Sequence, residues 1–575
     1  MRITNMRSVR ITTFFLLLVI GAFIALIGRC FQLQYFRSGR YNDICLKQQE
    51  SLVRLKPQRG VILDCCGRVL AASDKINTIF AEPRVIKDPK DTSSELAEAV
   101  DMGAHQICKL IMEGKNPGFV KIKVGADANQ CNRASKIYGI GVLSDWQRHY
   151  PMGNSAAHIV GFTSADNRGL WGLELRYDKE LTGSAAQEVF LADVYRRPIR
   201  LSWNTEAQNS VLTNGVGIIL TIDATIQKFA RDALVKQLEN YQAESAVAIV
   251  AEPKSGAILA LVSLPDFDPA NAHLTDPNNF RNRAITDQFE PGSIIKPIMA
   301  AIAVDAGVVN RFEKIFCENG SYYGKGFGRI GEYREGFGDL TVREILINSS
   351  NIGMAKIGQR TGRDKLYEGL SFFGFGKKTG IDLPSEAEGF LRPPGEWTGY
   401  SVTRIPFGQE ISVTAMQLVR AFCILANGGR SIRPYLVKAM VGDDGQIIKL
   451  KQPTPPVGFV VRPEVAKWIV TDAMVGVVNE GTGKRAKLER WQVFGKTGTA
   501  NIALKNQKGY SEDDYVASFV AGAPAEDPAI IVLVSVVKPN KRLGKGYAGG
   551  AVASPVAAEI VEKTLTYLEK REYGE

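Results

Sequence analysis

From Ile11 to Gly28 the chain carries no charge. That run limits the fold more than any other feature, because a stretch of this length crosses a hydrocarbon core of roughly 30 Å only as a helix. It is longer than the roughly 7 to 15 apolar residues of a cleavable signal, and no small-x-small site follows it. An uncleaved signal anchor over 11–28, preceded by a short segment 1–10, is therefore predicted. Ile27-Gly28-Arg29-Cys30 does not serve as a lipoprotein site, since Arg29 stands where a small residue is needed before Cys. Arg2, Arg7 and Arg10 precede the run while Arg29, Arg37 and Arg40 follow it, so basic flanks alone leave the orientation open. Most of the 575 residues lie beyond the anchor, too much chain for one comfortable core, and two or more further domains are expected.

Chemistry in that remainder begins at Ser293-Ile294-Ile295-Lys296. Pro291-Gly292 breaks the chain and the apolar run Ile298 to Ala303 has helical character, which puts Ser293 at a helix start. Residues at i and i+3 share a helix face, so the Lys296 amine reaches the Ser293 oxygen, and the free N–H groups of a first turn favour developing negative charge. Pro297 falls early enough in the helix to cost little. A second tetrad, Ser535 to Lys538, lies in a β-branched run that reads as a strand, where i and i+3 point to opposite faces. One such tetrad proves little; its order with two further clusters does. Ser349-Ser350-Asn351 follows the helical stretch Val342 to Ile347 and offers a second hydroxyl and an amide. Lys496-Thr497-Gly498-Thr499 sits on a predicted strand, Trp491 to Ala500, and offers an ammonium, two hydroxyls and backbone N–H groups. Imitations of these clusters occur elsewhere: Lys254-Ser255-Gly256 in a hairpin turn, Lys378-Thr379-Gly380 in a Gly-rich loop, and Ser202-Trp203-Asn204 far upstream.

The ordered triple resembles the penicillin-binding proteins, specifically the monofunctional class B transpeptidases and most closely their division-type members. The resemblance runs nearly end to end. Arg29 with Leu33-Gln34 is similar to the family's post-anchor motif, and Arg59-Gly60-Val61-Ile62-Leu63-Asp64 with Gly67 and Leu70-Ala71 to its next signature. Gly172-Leu173-Glu174, Tyr177-Asp178, Leu181-Thr182-Gly183 and Leu220-Thr221-Ile222-Asp223 with Gln227 continue it. Phe267-Asp268-Pro269 precedes the nucleophile, and Gly408-Gln409, Thr414, Gln417 and Asn427-Gly428-Gly429 precede the third cluster. Ala517-Ser518-Phe519-Val520, Ala523-Pro524, Asp527-Pro528 and Gly549 to Pro555 are closer to division-type than to elongation-type members. Two departures stand in the non-catalytic half: Cys65-Cys66 replace a charged or polar pair after Asp64, and the Gly usual shortly after Gly183 is missing.

The resemblance implies acyl transfer. Ser293 attacks the penultimate D-Ala carbonyl of a stem pentapeptide, D-Ala leaves, and an amine on a neighbouring stem resolves the acyl-enzyme into a cross-link. Lys296 acts as base if neutral, which burial and a nearby Lys496 ammonium would favour. Ser349 passes the proton on and Asn351 orients Lys296 and the substrate amide. Lys496, Thr497 and Thr499 hold the terminal carboxylate, with Gly498 between them, and the N–H groups of Ser293 and Thr499 form the oxyanion hole. β-Lactams acylate Ser293 as substrate mimics. The resemblance also implies a single-pass protein of the cytoplasmic membrane with its catalytic domain outside. The Glu-Asp-x-x-Phe glycosyltransferase motif is missing, so the expected partners are a SEDS-type glycosyltransferase and other membrane proteins of the division machinery. No cofactor or metal is expected.

The expected fold is α/β. An elongated, mainly β pedestal covers 29–215, and a transpeptidase domain covers 217–575, with a central antiparallel sheet flanked by helices and a last helix from Ala553 to Leu568. Little chain follows that helix, so no appended repeats are expected. The net charge of +11 is spread along the chain, which suits an anionic membrane surface and acidic precursors better than nucleic acid. Four histidines show no zinc spacing, no Walker or Gly-x-Ser-x-Gly motif occurs, and the eight cysteines are expected as free buried thiols. The rival readings are an elongation-type transpeptidase, a β-lactamase or β-lactam sensor, which usually lacks the pedestal, and an idle scaffold, which would have lost Ser293 or Lys496.

Overall fold

The structure, a computed structural model, describes residues 6–41, 50–192, 198–199, 212–333, 336–451, 458–504 and 509–572. Ser202-Trp203-Asn204 lies outside the described residues, as does Cys45. The chain divides into two compact units, one of 1–57 with 184–213 and one of 58–183 with 214–575. Residues expected in the pedestal fall in both.

In the first unit the apolar run forms one helix, Met6–Phe31, which continues through a wide turn, Gln32–Phe36. Within Val9–Phe36 an 18-residue window averages a hydropathy of 2.6 and has none of its residues buried, as suits a helix whose solvent is lipid. Glu50–Leu55 pairs antiparallel with Ala186–Ala192, which in turn pairs with Pro198–Ile199.

The second unit contains two larger sheets. One links the two halves of the sequence: Ile62–Leu63 pairs antiparallel with Val69–Ala81 and parallel with Gly217–Leu220, which pairs with Val437–Val441. Val120–Val124 and Ile140–His149 flank Val69–Ala81. The strands expected here are joined by three helices, Pro89–Val100, Ala104–Glu113 and Ala128–Ala134. Leu96, Val100, Ile107 and Ile111 pack with Ile79, Ile122 and Ile140 in a small separate core, the helical i, i+3/i+4 recurrence that makes these segments helices.

The sheet that positions the site has five strands: β1 (Ser245–Ala251), β2 (Ile258–Leu264), β3 (Phe494–Ala503), β4 (Tyr510–Ala523) and β5 (Ile530–Val537). Their order is β2-β1-β5-β4-β3, antiparallel throughout. Every residue of β1 is buried, because both faces are covered. Val247, Ile249 and Ala251 join a core with helices α2 (Lys296–Asp305) and α5 (Ala415–Ala426), whereas Ala246, Ala248 and Val250 join one with α1 (Ala224–Tyr241) and α6 (Ser554–Glu572). This alternation with period two makes the strand read as one continuous apolar run. Helices α3 (Val342–Asn348) and α4 (Asn351–Thr361) carry Ser349 and Asn351 at their junction.

Candidate active site

Ser293 sits in a 3-10 turn, Gly292–Ile295, that runs directly into α2. Side chains three apart eclipse in that geometry, so Ser293 and Lys296 lie on one line. Close approaches surround the turn and the strand beside it. Gly292 has φ +57° and donates its N–H to Gly408 O at 3.1 Å. A Cβ on Gly498 of β3 would meet Ile294 Cβ at 3.0 Å and Pro291 O at 3.2 Å, and a Cβ on Gly549 would meet Gly498 O at 2.4 Å. Glycine at 498 thus lets β3 lie directly on the Ser293 turn. Ser293 is half-buried and lines a cavity of about 950 Å³ together with Ser349, Asn351, Thr497 and Thr499.

The buried Lys296 amine donates to Ser349 O at 2.6 Å and to Asn351 Oδ1 at 2.8 Å, with Ser349 Oγ at 3.3 Å. A neutral amine has two N–H donors, and the two shorter bonds use both, which leaves it a lone pair. Burial lowers the Lys296 pKa to about 7, opposed by the field of Glu332. Ser349 ends α3 in the left-handed region, φ +59°, a conformation costing a non-glycine residue on the order of 1–3 kcal/mol. It presents both its carbonyl and its hydroxyl to Lys296. The Lys496 amine, equally buried, donates to the same Ser349 Oγ at 3.0 Å and to Thr497 O at 3.0 Å. Burial and then the charge of Lys296 push Lys496 well below the usual lysine range. Two amines on one hydroxyl cannot both carry a proton cheaply, so the pair titrates as a unit. The sequence expectation made the Lys496 charge a cause of Lys296 neutrality; in the structure burial dominates at both.

Glu332 was not singled out by sequence reasoning. Its carboxylate accepts from Ser350 Oγ at 2.5 Å, Asn351 N at 2.7 Å and Ile352 N at 3.1 Å, holding the free N–H groups at the start of α4. Asn351 is fixed from both ends, with Nδ2 donating to Gly331 O at 3.1 Å. No motif announces Glu332, because it comes from the loop after the short strand Gly328–Gly331. Thr482, also unflagged, shares a 2.7 Å hydrogen bond between hydroxyls with Thr497, and Thr499 Oγ1 accepts from Gly549 N at 3.1 Å.

All eight expected site residues, Ser293, Lys296, Ser349, Asn351, Lys496, Thr497, Gly498 and Thr499, converge here. The imitations among the described residues stay outside. Ser535 is buried in β5 and bonded to Ser518 Oγ at 2.9 Å, while Lys538 pairs with Glu244. Lys254-Ser255-Gly256 forms the turn between β1 and β2, and Thr379 is tied by backbone and hydroxyl to Glu386. The cysteine expectation needs correction. The seven described thiols are free, but only Cys317 and Cys423 are buried, whereas Cys30 and Cys66 are exposed.

Known proteins share this sequence pattern and fold. Residues 246–562 match the family described as penicillin binding protein transpeptidase domain, and 54–210 match the penicillin-binding protein dimerisation domain. The chain belongs to the penicillin-binding protein transpeptidase family, and the dimerisation domain ahead of the catalytic one places it in class B. Among its relatives, Stage V sporulation protein D of Bacillus subtilis is 32% identical, over 99% of this chain and 87% of that protein. The probable peptidoglycan D,D-transpeptidase PenA of Neisseria gonorrhoeae is 31% identical over 93% of this chain and 89% of its own length. A solved structure of a peptidoglycan synthetase from Bifidobacterium adolescentis superposes with a TM-score of 0.72 at 25% identity, covering 91% of this chain and 97% of that one.

Proposed function

We propose that Ser293 is the nucleophile of a peptidoglycan D,D-transpeptidase and that the buried Lys296 amine is its base. The chain is a serine-type D-Ala-D-Ala transpeptidase that acts on peptidoglycan stem peptides and is inhibited by β-lactams. One observation carries the residue assignment: Lys296 spends its donors on Ser349 O and Asn351 Oδ1 one turn beyond Ser293, beside a cavity into which all three clusters open.

In the proposed reaction Ser293 Oγ bonds to the carbonyl carbon of the penultimate D-Ala as its proton moves to Lys296 Nζ. The oxyanion is held by the N–H groups of Ser293 and Thr499. Ser349, bridging the two amines, delivers a proton to the leaving D-Ala nitrogen as the C–N bond breaks. An acceptor amine then attacks the ester, its proton returning through the same groups to Ser293. Thr497 and Thr499 on the cavity wall, with Lys496 behind them, suit the substrate carboxylate, whose charge would favour the Lys496 ammonium.

The same reading places the catalytic region, 217–575, outside the cytoplasmic membrane, with 1–10 inside, 11–28 as the anchor and 29–215 as the pedestal. It gives the chain a septal role beside a SEDS-type glycosyltransferase, supported by the division-type character of 517–528 and 549–555 and by the missing glycosyltransferase motif. Depletion giving filaments supports that role; round cells would favour elongation.

The primary test is labelling of the purified chain with a fluorescent penicillin. Stable label on the wild type and none on Ser293→Ala is expected. Label that vanishes within seconds would indicate a β-lactamase, and no label on either protein would sink the catalytic reading.

A further inference from the structure

Asp223 caps α1 with one carboxylate oxygen. Oδ1 accepts from Thr225 N at 2.8 Å, from Ile226 N at 3.4 Å and from Arg68 Nη2 at 2.6 Å. Oδ2 turns instead to Cys65-Cys66, the pair that departs from the family pattern. The Cys65 and Cys66 sulfurs lie 3.6 and 3.4 Å from Oδ2 and 3.6 Å from each other. Adjacent side chains in a turn commonly diverge. Here Asp64 Oδ1 accepts from both Cys66 N and Arg68 N at 2.8 Å, and Gly67 takes φ +82°, which fixes the turn with both sulfurs on one side. None of these residues lines the catalytic cavity.

We propose that Cys65, Cys66 and Asp223 form a binding site for one thiophilic divalent cation of the zinc and cadmium type, with its fourth position open to solvent beside the exposed Cys66. The geometry is that of one face of a tetrahedron. Bond lengths of about 2.3 Å to sulfur and 2.0–2.2 Å to oxygen give tetrahedral edges of roughly 3.5–3.8 Å, close to the three observed separations. Two thiolates and a carboxylate suit a borderline-soft cation rather than calcium or magnesium. Against a divalent ion they leave one negative charge, which faces Arg571 Nη1, 3.3 Å from Asp223 Oδ2 and 3.9 Å from Cys65 Sγ, and Arg68 on the other carboxylate oxygen. Tyr567 donates to Oδ2 at 3.0 Å and orients the carboxylate. Binding breaks two S–H bonds, forms two metal–sulfur bonds and releases two protons to solvent. The ion would tie the turn after Ile62–Leu63 to the start of α1, beside the end of α6 that supplies Tyr567 and Arg571.

The test uses the full-length chain in detergent, reduced with a non-thiol reductant, stripped by chelator and titrated with cadmium. One equivalent is expected to produce a thiolate-to-cadmium ultraviolet charge-transfer band. The band should vanish in the Cys65→Ser/Cys66→Ser double variant and persist in Cys108→Ser/Cys131→Ser. Zinc should raise the melting temperature of the wild type and leave that of the first double variant unmoved. Equal fluorescent-penicillin labelling of all three proteins reports that each is folded. No band in the wild type, or a band that survives loss of Cys65 and Cys66, overturns the proposal. So does a Cys65–Cys66 disulfide trapped by alkylation in protein taken directly from membranes.

Discussion

Two clusters of buried charge lie in the same compact unit and follow opposite rules. In one, Arg59, 1% exposed, meets the fully buried Glu174 at 2.6 Å and Asp178 at 2.8 Å, while Arg148 meets the other Glu174 oxygen at 2.7 Å. Arg59 also donates to the carbonyls of Asn167 and Glu174 and to Thr182 Oγ1. Only Arg148 Nη2 lacks a partner. In the other cluster, among the described residues, neither Lys296 nor Lys496 forms an ion pair; both amines rest on the Ser349 hydroxyl. A paired cation keeps its proton and fixes structure, whereas two unpaired amines in one dry volume must give one up, and the amine that does so becomes a base. Residues 59, 174 and 178 fall in the stretch that matches the dimerisation domain and outside the one that matches the transpeptidase domain, and that placement fits a structural task.

The largest expected difference between the clusters is in rate. Lys296→Met should slow acylation by penicillin about 10²- to 10⁴-fold without lowering the melting temperature, since a buried amine gives way to an apolar chain of similar length. In the wild type the rate should rise with pH through about 7 as Lys296 loses its proton, and stopped-flow acylation of the variant should lack that rise. A variant with an unchanged rate would make Lys296 structural and erase the contrast. Next, Glu174→Gln leaves Arg59 and Arg148 short of charge and should destabilise the unit by about 3–5 kcal/mol, read from the denaturant midpoint. Whatever protein remains folded should acylate at the wild-type rate constant, and a rate loss at full folding would tie this cluster to the chemistry. The smallest effect sharpens the picture of the site itself. Glu332→Gln removes a charge that raises the Lys296 pKa, so the rise in rate should move to lower pH. Its maximum should fall roughly tenfold, the scale of one weakened charge-assisted hydrogen bond. A loss of rate with no shift along the pH axis would confine Glu332 to holding the start of α4.

The three clusters were legible because each is written in local sequence: a hydroxyl and an amine one turn apart, a Ser-Ser-Asn at a helix junction, a Lys-Thr-Gly-Thr on a strand. The strand limits were near the mark for the same reason. The Trp491 to Ala500 expectation became Phe494–Ala503, and the final helix expected from Ala553 to Leu568 became Ser554–Glu572. The run Ile530–Val537 shows why local reading also rejects: a Ser-x-x-Lys on a strand splits across two faces, and Ser535 pairs with Ser518. Glu332 was illegible because its partners are the backbone of a helix that begins nineteen positions later at Asn351, and a single glutamate in a Gly-rich loop carries no periodicity. Likewise nothing in the sequence joins Cys65-Cys66 to Asp223, which are brought together only when Ile62–Leu63 pairs in parallel with Gly217–Leu220.

The sequence by itself determined the apolar amino-terminal helix, the residue types of the three clusters and their order, and the covered sheet, because apolar periodicity and i, i+3 spacing act through the nearest few residues. The tertiary structure decided that both amines are drawn well below the usual lysine range, which hydroxyl they share, and what the left-handed Ser349 presents to them. Those are properties of dielectric and of long-range contact, and they exist only once α2, α4 and β3 have closed around the same few atoms and removed the water.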